Sequence, residues 1–168
     1  MGYGIGIRIT LSTVWMTLSG ERIIHGLVGL AFWIGYLAYR RPARGAGATV
    51  GLLAAALVGT WVPDWDLMVG IEFHRSPLTH SALPAILFAW VTRPISRYSL
   101  PVGFALGLAS HLFWDIIFFG DVRWIPGGAY DRLFLLLNSL GLVVWAIKKN
   151  GTAFRSARYS GDISNEQM

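Results

Sequence analysis

Long apolar runs separated by short polar ones set the pattern of this chain. A helix needs roughly 17–25 apolar residues to span a bilayer, and five runs approach that length. Residues 23–39 (IIHGLVGLAFWIGYLAY) end at Arg40, Arg41 and Arg44, and residues 46–63, rich in Ala and Gly, stop at Pro63. Residues 78–92 end at Arg93 and Pro94, residues 100–120 form a fourth run, and residues 132–147 form a fifth that stops at Lys148 and Lys149. The pattern predicts an all-α fold, a polytopic bundle of about five transmembrane helices. Small residues such as Gly103, Gly107, Ala109 and Ser110 would let those helices approach closely.

The flanks read differently. Residues 1–21 carry three early glycines and a rough alternation, which predicts an N-terminal extension lying at the membrane interface. They lack the basic start and small-residue cleavage site of a signal peptide. An alternative start at Met16 would open the first helix with Ser19 and Glu21 as caps. Residues 150–168 read as a polar, disordered tail. Residues 22–149 are then the membrane-embedded domain.

Composition supports this reading. The 168 residues suit one domain, and 54% are hydrophobic against 14% charged, where a soluble domain carries about 25% charged residues. The mean hydropathy of +0.52 agrees. With no cysteine in the chain, disulfides and thiolate metal sites are excluded. The net charge of +5 does not gather into a basic face, so nucleic acid is not an expected partner. It reads as topology instead. Arg40, Arg41, Arg44, Arg93, Arg97, Lys148, Lys149, Arg155 and Arg158, nine of fourteen basic residues, fall on one side of a five-span bundle. The positive-inside rule makes that side cytoplasmic, in an inner (cytoplasmic) membrane.

The opposite end then collects the chemistry. The stretch WVPDWDLMVGIEFHRSPLTHS, residues 61–81, holds Asp64, Asp66, Glu72, His74, Arg75 and His80. His25 opens the first span at the same end, and His111 and Asp115 lie in the outer half of the fourth. His111 and Asp115 are i and i+4 and share a helix face, inside ASHLFWDIIFF. An acid there costs roughly 2.5–3.5 kcal/mol at mid-span and calls for a partner. His plus carboxylate on one face is half a divalent-metal site. Asp64 and Asp66 follow a helix end, and His80 precedes a new helix with Ser76 or Thr79 as caps. Three or four such ligands suit zinc, and more oxygen-rich sets suit Mn or Mg.

Plainer readings stand beside these. Asp64 and Asp66 could end a helix at the headgroup layer, and Arg75 could anchor to lipid phosphate. Trp61, Trp65, Trp114 and Trp124 fit an interfacial belt. Asp121, Arg123, Asp131 and Arg132 read as solvated loop charges.

The ordered series His25-Gly26, Pro63-Asp64-Trp65-Asp66, His74-Arg75, Thr79-His80-Ser81 and Ser110-His111-Leu112-x-x-Asp115 resembles the motifs of the bacterial and archaeal inner-membrane metal-dependent hydrolases. That family includes a LexA-binding, inner membrane-associated hydrolase. The resemblance covers residues 22–147. The series is also distantly similar to the zinc-dependent phospholipase C and nuclease P1 fold. The resemblance implies a metal site of Asp64 or Asp66 with His80, His111 and Asp115, and a second ion bridged by Asp115 and helped by His25. Those soluble enzymes carry further histidines, whereas no histidine follows His111 here and Asp121 is only a stand-in. One or two ions are therefore expected.

The expected function is hydrolysis by a metal-activated water. Whichever of Asp66 and Asp64 is not a ligand serves as general base or orients His80, and His74 is a further catalytic candidate. Arg75 neutralises oxyanion charge, its planar fork suiting phosphate. A site at the outer headgroup level implies a membrane lipid or lipid-linked phosphate or ester as substrate. The rival is a non-enzymatic carrier or structural metal protein. A relay would cross the membrane, yet Leu30, Phe32, Ile86 and Leu142 leave no polar trail through the other half.

Overall fold

The structure is a computed structural model that describes the backbone of residues 11–40, 46–70, 73–96 and 98–165, and the side chains of 20, 23–39, 46–70, 73–96 and 98–149. Among the described residues every regular element is helical: α1 (Leu11–Arg40), α2 (Ala46–Trp61), a 3-10 turn (Pro63–Met68), α3 (Leu83–Val91), α4 (Ser99–Phe118) and α5 (Ala129–Asn165). Glu72 and the side chains of Arg8, Arg22, Arg40, Arg41, Arg44, Arg97, Arg155 and Arg158, part of the charge bias, lie outside these residues.

The all-α expectation holds, but the count of spans does not. Two helices are long and apolar enough to cross a membrane, Ser99–Phe118 and Ala129–Lys149. The runs expected to be the first and second spans are shorter apolar helices, Ile23–Tyr39 and Ala46–Trp61. The run 78–92 yields nine helical residues, about 14 Å at 1.5 Å per residue, half the hydrocarbon thickness. Its first residues are consumed by turns: His80 and Thr79 donate their backbone N–H groups to the Ser76 carbonyl. Of α3 only Ala85 is buried, so its apolar sequence is mostly surface.

The ends are also more helical than expected. Ser19 and Glu21 sit inside the continuous α1, not at its start, and α5 carries the segment read as a disordered tail to Asn165.

Helix α4 is the axis of the bundle, packing against α1, α2, α3 and α5. Every residue from Pro101 to Leu112 is buried, as befits a helix apolar all round. Close approach to α2 depends on missing side chains. A Cβ on Gly107 would run into the Ala56 carbonyl, and one on Gly103 into that of Leu52. The outer faces are inverted relative to a water-soluble protein. Ile23, Leu27 and Ile34 on α1, Ile86 and Trp90 on α3, and Leu133, Leu137 and Leu140 on α5 are exposed. An apolar surface of that extent marks a membrane or partner-facing exterior.

Candidate functional site

Four elements deliver polar side chains to one buried point. Helix α1 brings His25, the 3-10 turn brings Asp64 and Asp66, the turn before α3 brings His80, and α4 brings His111 and Asp115. Pro63 at the first turn of the 3-10 segment presets its backbone. With three residues per turn, residues two apart diverge, so the two carboxylates face different partners. Asp64 Oδ1 lies 3.7 Å from His111 Nε2, whereas Asp66 Oδ1 lies 3.0 Å from His74 Nδ1.

At the centre, Asp115 Oδ2 stands 3.3 Å from His111 Nε2 and 3.4 Å from His80 Nε2, and Asp115 Oδ1 stands 3.8 Å from His25 Nε2. His111 Nε2, His80 Nε2 and Asp115 Oδ2 have no hydrogen-bond partner among the described residues, although all three residues are at least 97% buried. Such groups are ordinarily satisfied. The far ring nitrogens explain why these are not. His111 Nδ1 donates to the Thr60 carbonyl at 2.8 Å. Thr79 Oγ1 donates to Asp66 Oδ2 at 2.7 Å and lies 3.0 Å from His80 Nδ1, from which it can accept. In the neutral rings the proton is therefore fixed on Nδ1, and each Nε2 turns a lone pair toward the Asp115 carboxylate.

A cation resolves that convergence of acceptors. Neighbouring donors in a tetrahedral zinc shell of radius 2.0–2.1 Å lie roughly 3.3–3.4 Å apart, which matches the His80–Asp115 and His111–Asp115 separations of 3.4 and 3.3 Å. Three overlapping groups could hold an ion: His80, His111 and Asp115; His25, Asp64 and His111; and Asp64, His74 and His80. His25 also stacks on His111, with ring centroids 4.3 Å apart. Asp66 belongs to none of these groups, and its two oxygens bond His74 and Thr79. Through Thr79 the Asp66 carboxylate reaches His80 Nδ1.

Electrostatics in the segment before α3 agree. Burial, then the His111 ring, push His80 down to about 3 against the pull of Asp115 and Asp66, so its imidazole is neutral at physiological pH. Burial works to raise Asp66, but the hydrogen bonds from His74 and Thr79 and the nearby histidines outweigh it and hold the carboxyl below its ordinary value of 3.8.

Other expected site residues lie elsewhere. Arg75, at φ 58°, pairs with Asp121, covers the Phe119 ring at 4.0 Å and accepts the Arg123 backbone N–H. It straps the loop before α3 to the loop after α4. Asp121 is thereby an exposed ion-pair partner and no stand-in ligand. Asp131, expected in solvent, is buried in the first turn of α5. Trp114, expected in an interfacial belt, stands edge-on to His25 with centroids 6.2 Å apart. Neither Ser76 nor Thr79 caps α3; the Ala82 N–H is taken by Asn138 Oδ1 at 2.8 Å. Thr60 was missed because it contributes a backbone carbonyl, which leaves no mark in sequence. Thr79 was legible only as a cap.

A helical bundle with an apolar exterior and a buried His/Asp cluster at one end defines a membrane protein built around a candidate cation site. The chain belongs to the YdjM inner membrane protein family, whose model matches residues 21–152. No curated protein and no solved structure matches it. The family's description specifies the membrane and says nothing of a reaction.

Proposed function

We propose that the chain is a membrane-embedded metal-dependent hydrolase acting on a phosphate or carboxylic ester of a lipid or lipid-linked substrate. The observation that supports this is the convergence of His80 Nε2, His111 Nε2 and Asp115 Oδ2, buried and without hydrogen-bond partners among the described residues. His25 and Asp64 complete a donor set of three imidazoles and two carboxylates, suited to one or two zinc ions. Such an ion, when bound, supplies Lewis acidity and makes water a competent nucleophile near neutral pH.

The chain's own groups supply the rest. Thr60 and Thr79 hold the two Nδ1 protons outward and so aim His111 and His80. Asp66 fixes His74 through Nδ1, which leaves the second nitrogen of a half-buried ring to accept a proton. Arg75, paired with Asp121 and stacked on Phe119, steadies the loop that carries His74. Exposed Trp65, Met68, Val69 and Phe73 surround this end of the bundle with apolar side chains, which favours a substrate arriving in the membrane plane.

The test is metal content. The protein is purified in detergent without added metal or a polyhistidine tag, and bound metals are measured by mass spectrometry. The expected result is one or two equivalents of zinc, lost in folded His111→Ala and Asp115→Ala variants, with ester hydrolysis lost alongside. Absence of binding after reconstitution with zinc, manganese and magnesium would overturn the reading.

A further inference from the structure

The face of the bundle formed by α3 and α5 holds a second feature. A groove of about 300 Å³ is lined by Ala82, Ala85, Ile86, Ala89, Gly141 and Trp145, among others. It exists because Ala82, Ala85, Ala89 and Gly141 present little or no side chain between the facing segments. Ala89 also lines a neighbouring cavity of about 160 Å³ bounded by Arg93, Tyr98 and Lys149. The Lys149 ammonium lies over the Trp145 ring at 4.8 Å, so the cation sits directly above the apolar trough.

Chemistry changes along the groove's length. The apolar part runs beside α3 from Ala82, next to the buried cluster, to Ala89. That is about 10 Å at 1.5 Å per residue, with Arg93 one turn further on. The far part offers two cations and a phenol at the level where α3 ends. An apolar channel with two cations beside its far end is complementary to the upper part of an acyl chain with a phosphate attached. Basic pockets between helices at the cytoplasmic side bind anionic headgroups in this way.

We propose that the α3–α5 groove is a binding site for one anionic phospholipid of the basic-side leaflet, its acyl chain against Ala85, Ala89 and Gly141 and its phosphate at Arg93 and Lys149. The site is separate from the His/Asp cluster and does not depend on the hydrolase reading. Its lipid would brace α3, the shortest helix of the bundle, against α5, and so steady the turn that carries His80.

Two variants probe the two halves of the site. Gly141→Leu fills the trough, since a Cβ at Gly141 meets nothing within 4 Å and the fold can admit it. Arg93→Gln with Lys149→Gln removes the charge, and Lys148→Gln, which does not line the groove, is the control. Each detergent-purified protein is titrated with phosphatidylglycerol or phosphatidylcholine and followed by native mass spectrometry. Saturable binding of a single phosphatidylglycerol is expected in wild type and in Lys148→Gln. It should weaken roughly 30-fold in the double variant, from two lost surface cations, and be lost in folded Gly141→Leu. Equal binding of phosphatidylcholine, or retention of phosphatidylglycerol by Gly141→Leu, would overturn the proposal.

Discussion

His111 Nε2 and Asp115 Oδ2 face each other across one turn of α4 at 3.3 Å, and neither has a hydrogen-bond partner among the described residues. With the Nδ1 proton held by the Thr60 carbonyl, the contact in the neutral ring is lone pair against carboxylate. It is unfavourable until positive charge lies between the two. Zinc should therefore stabilise the folded protein by mass action, by about 2.7 kcal/mol at a hundredfold excess over Kd. Thermal denaturation in detergent would show a zinc-dependent rise in Tm for wild type and none for Asp115→Asn. An equal rise in both would place the ion elsewhere.

Thr79 links Asp66 to His80 through one hydroxyl. Thr79→Val keeps the shape and removes that link. Outer partners of metal-binding histidines typically contribute 10–100-fold in affinity, and a loss of that size is expected, with Thr79→Ser restoring it. Zinc affinity measured by competition with a chromophoric chelator checks this. Unchanged affinity in Thr79→Val would leave Asp66 as a structural carboxylate only.

His74 is half-buried and held by Asp66 at 3.0 Å. His74→Ala should keep its metal and lose turnover by roughly 10²–10⁴-fold, the range of a general base. Metal content and ester hydrolysis on the same preparation separate the two effects. If the metal is lost as fully as in His111→Ala, His74 is a ligand and the Asp66 pair orients it.

Acid should destabilise the metal-free protein in two stages. His80 drops from an ordinary 6.5 to about 3 on folding. Between those values the unfolded chain takes a proton that the folded chain refuses, so stability falls as pH drops from about 6.5. The slope is at most about 1.4 kcal/mol per pH unit for one proton. Asp66, held below 3.8, contributes stability above that pH that is lost as pH falls through its lowered value. Melting temperatures from pH 7 to pH 5 should decline in wild type and flatten in His80→Asn. A parallel decline in both would assign the acid sensitivity to other groups.

The cluster was largely legible in the sequence. His25, Asp64, His80, His111 and Asp115 were all expected at one end of the bundle, and the structure brings them together, because rare ionisable residues among apolar runs have few places to go. The i, i+4 spacing of His111 and Asp115 is a property of the helix itself. The separate roles of Asp64 and Asp66 were not legible, since they depend on the 3-10 geometry after Pro63. The spans were overcounted because hydropathy registers burial and lipid contact alike. The runs 23–39 and 46–63 give apolar helices shorter than a span, and the run 78–92 is apolar although its first residues are turns. Asp131 misled for the opposite reason: its charge suggested water, and its burial is imposed by the packing of α5.

The close seating of α2 on α4 reaches further than packing. Gly103 and Gly107 let the helices meet backbone to backbone, and that contact sets how far Thr60, at the end of α2, stands from His111. A methyl group added at either glycine would slide one helix along or away from the other. The Thr60 carbonyl would leave the imidazole, and the ring would be at liberty to carry its proton on the other nitrogen. Which tautomer faces Asp115 is thus decided by two absent side chains, one and two turns before His111 on the same side of α4, and a mutational survey confined to polar residues would never find them.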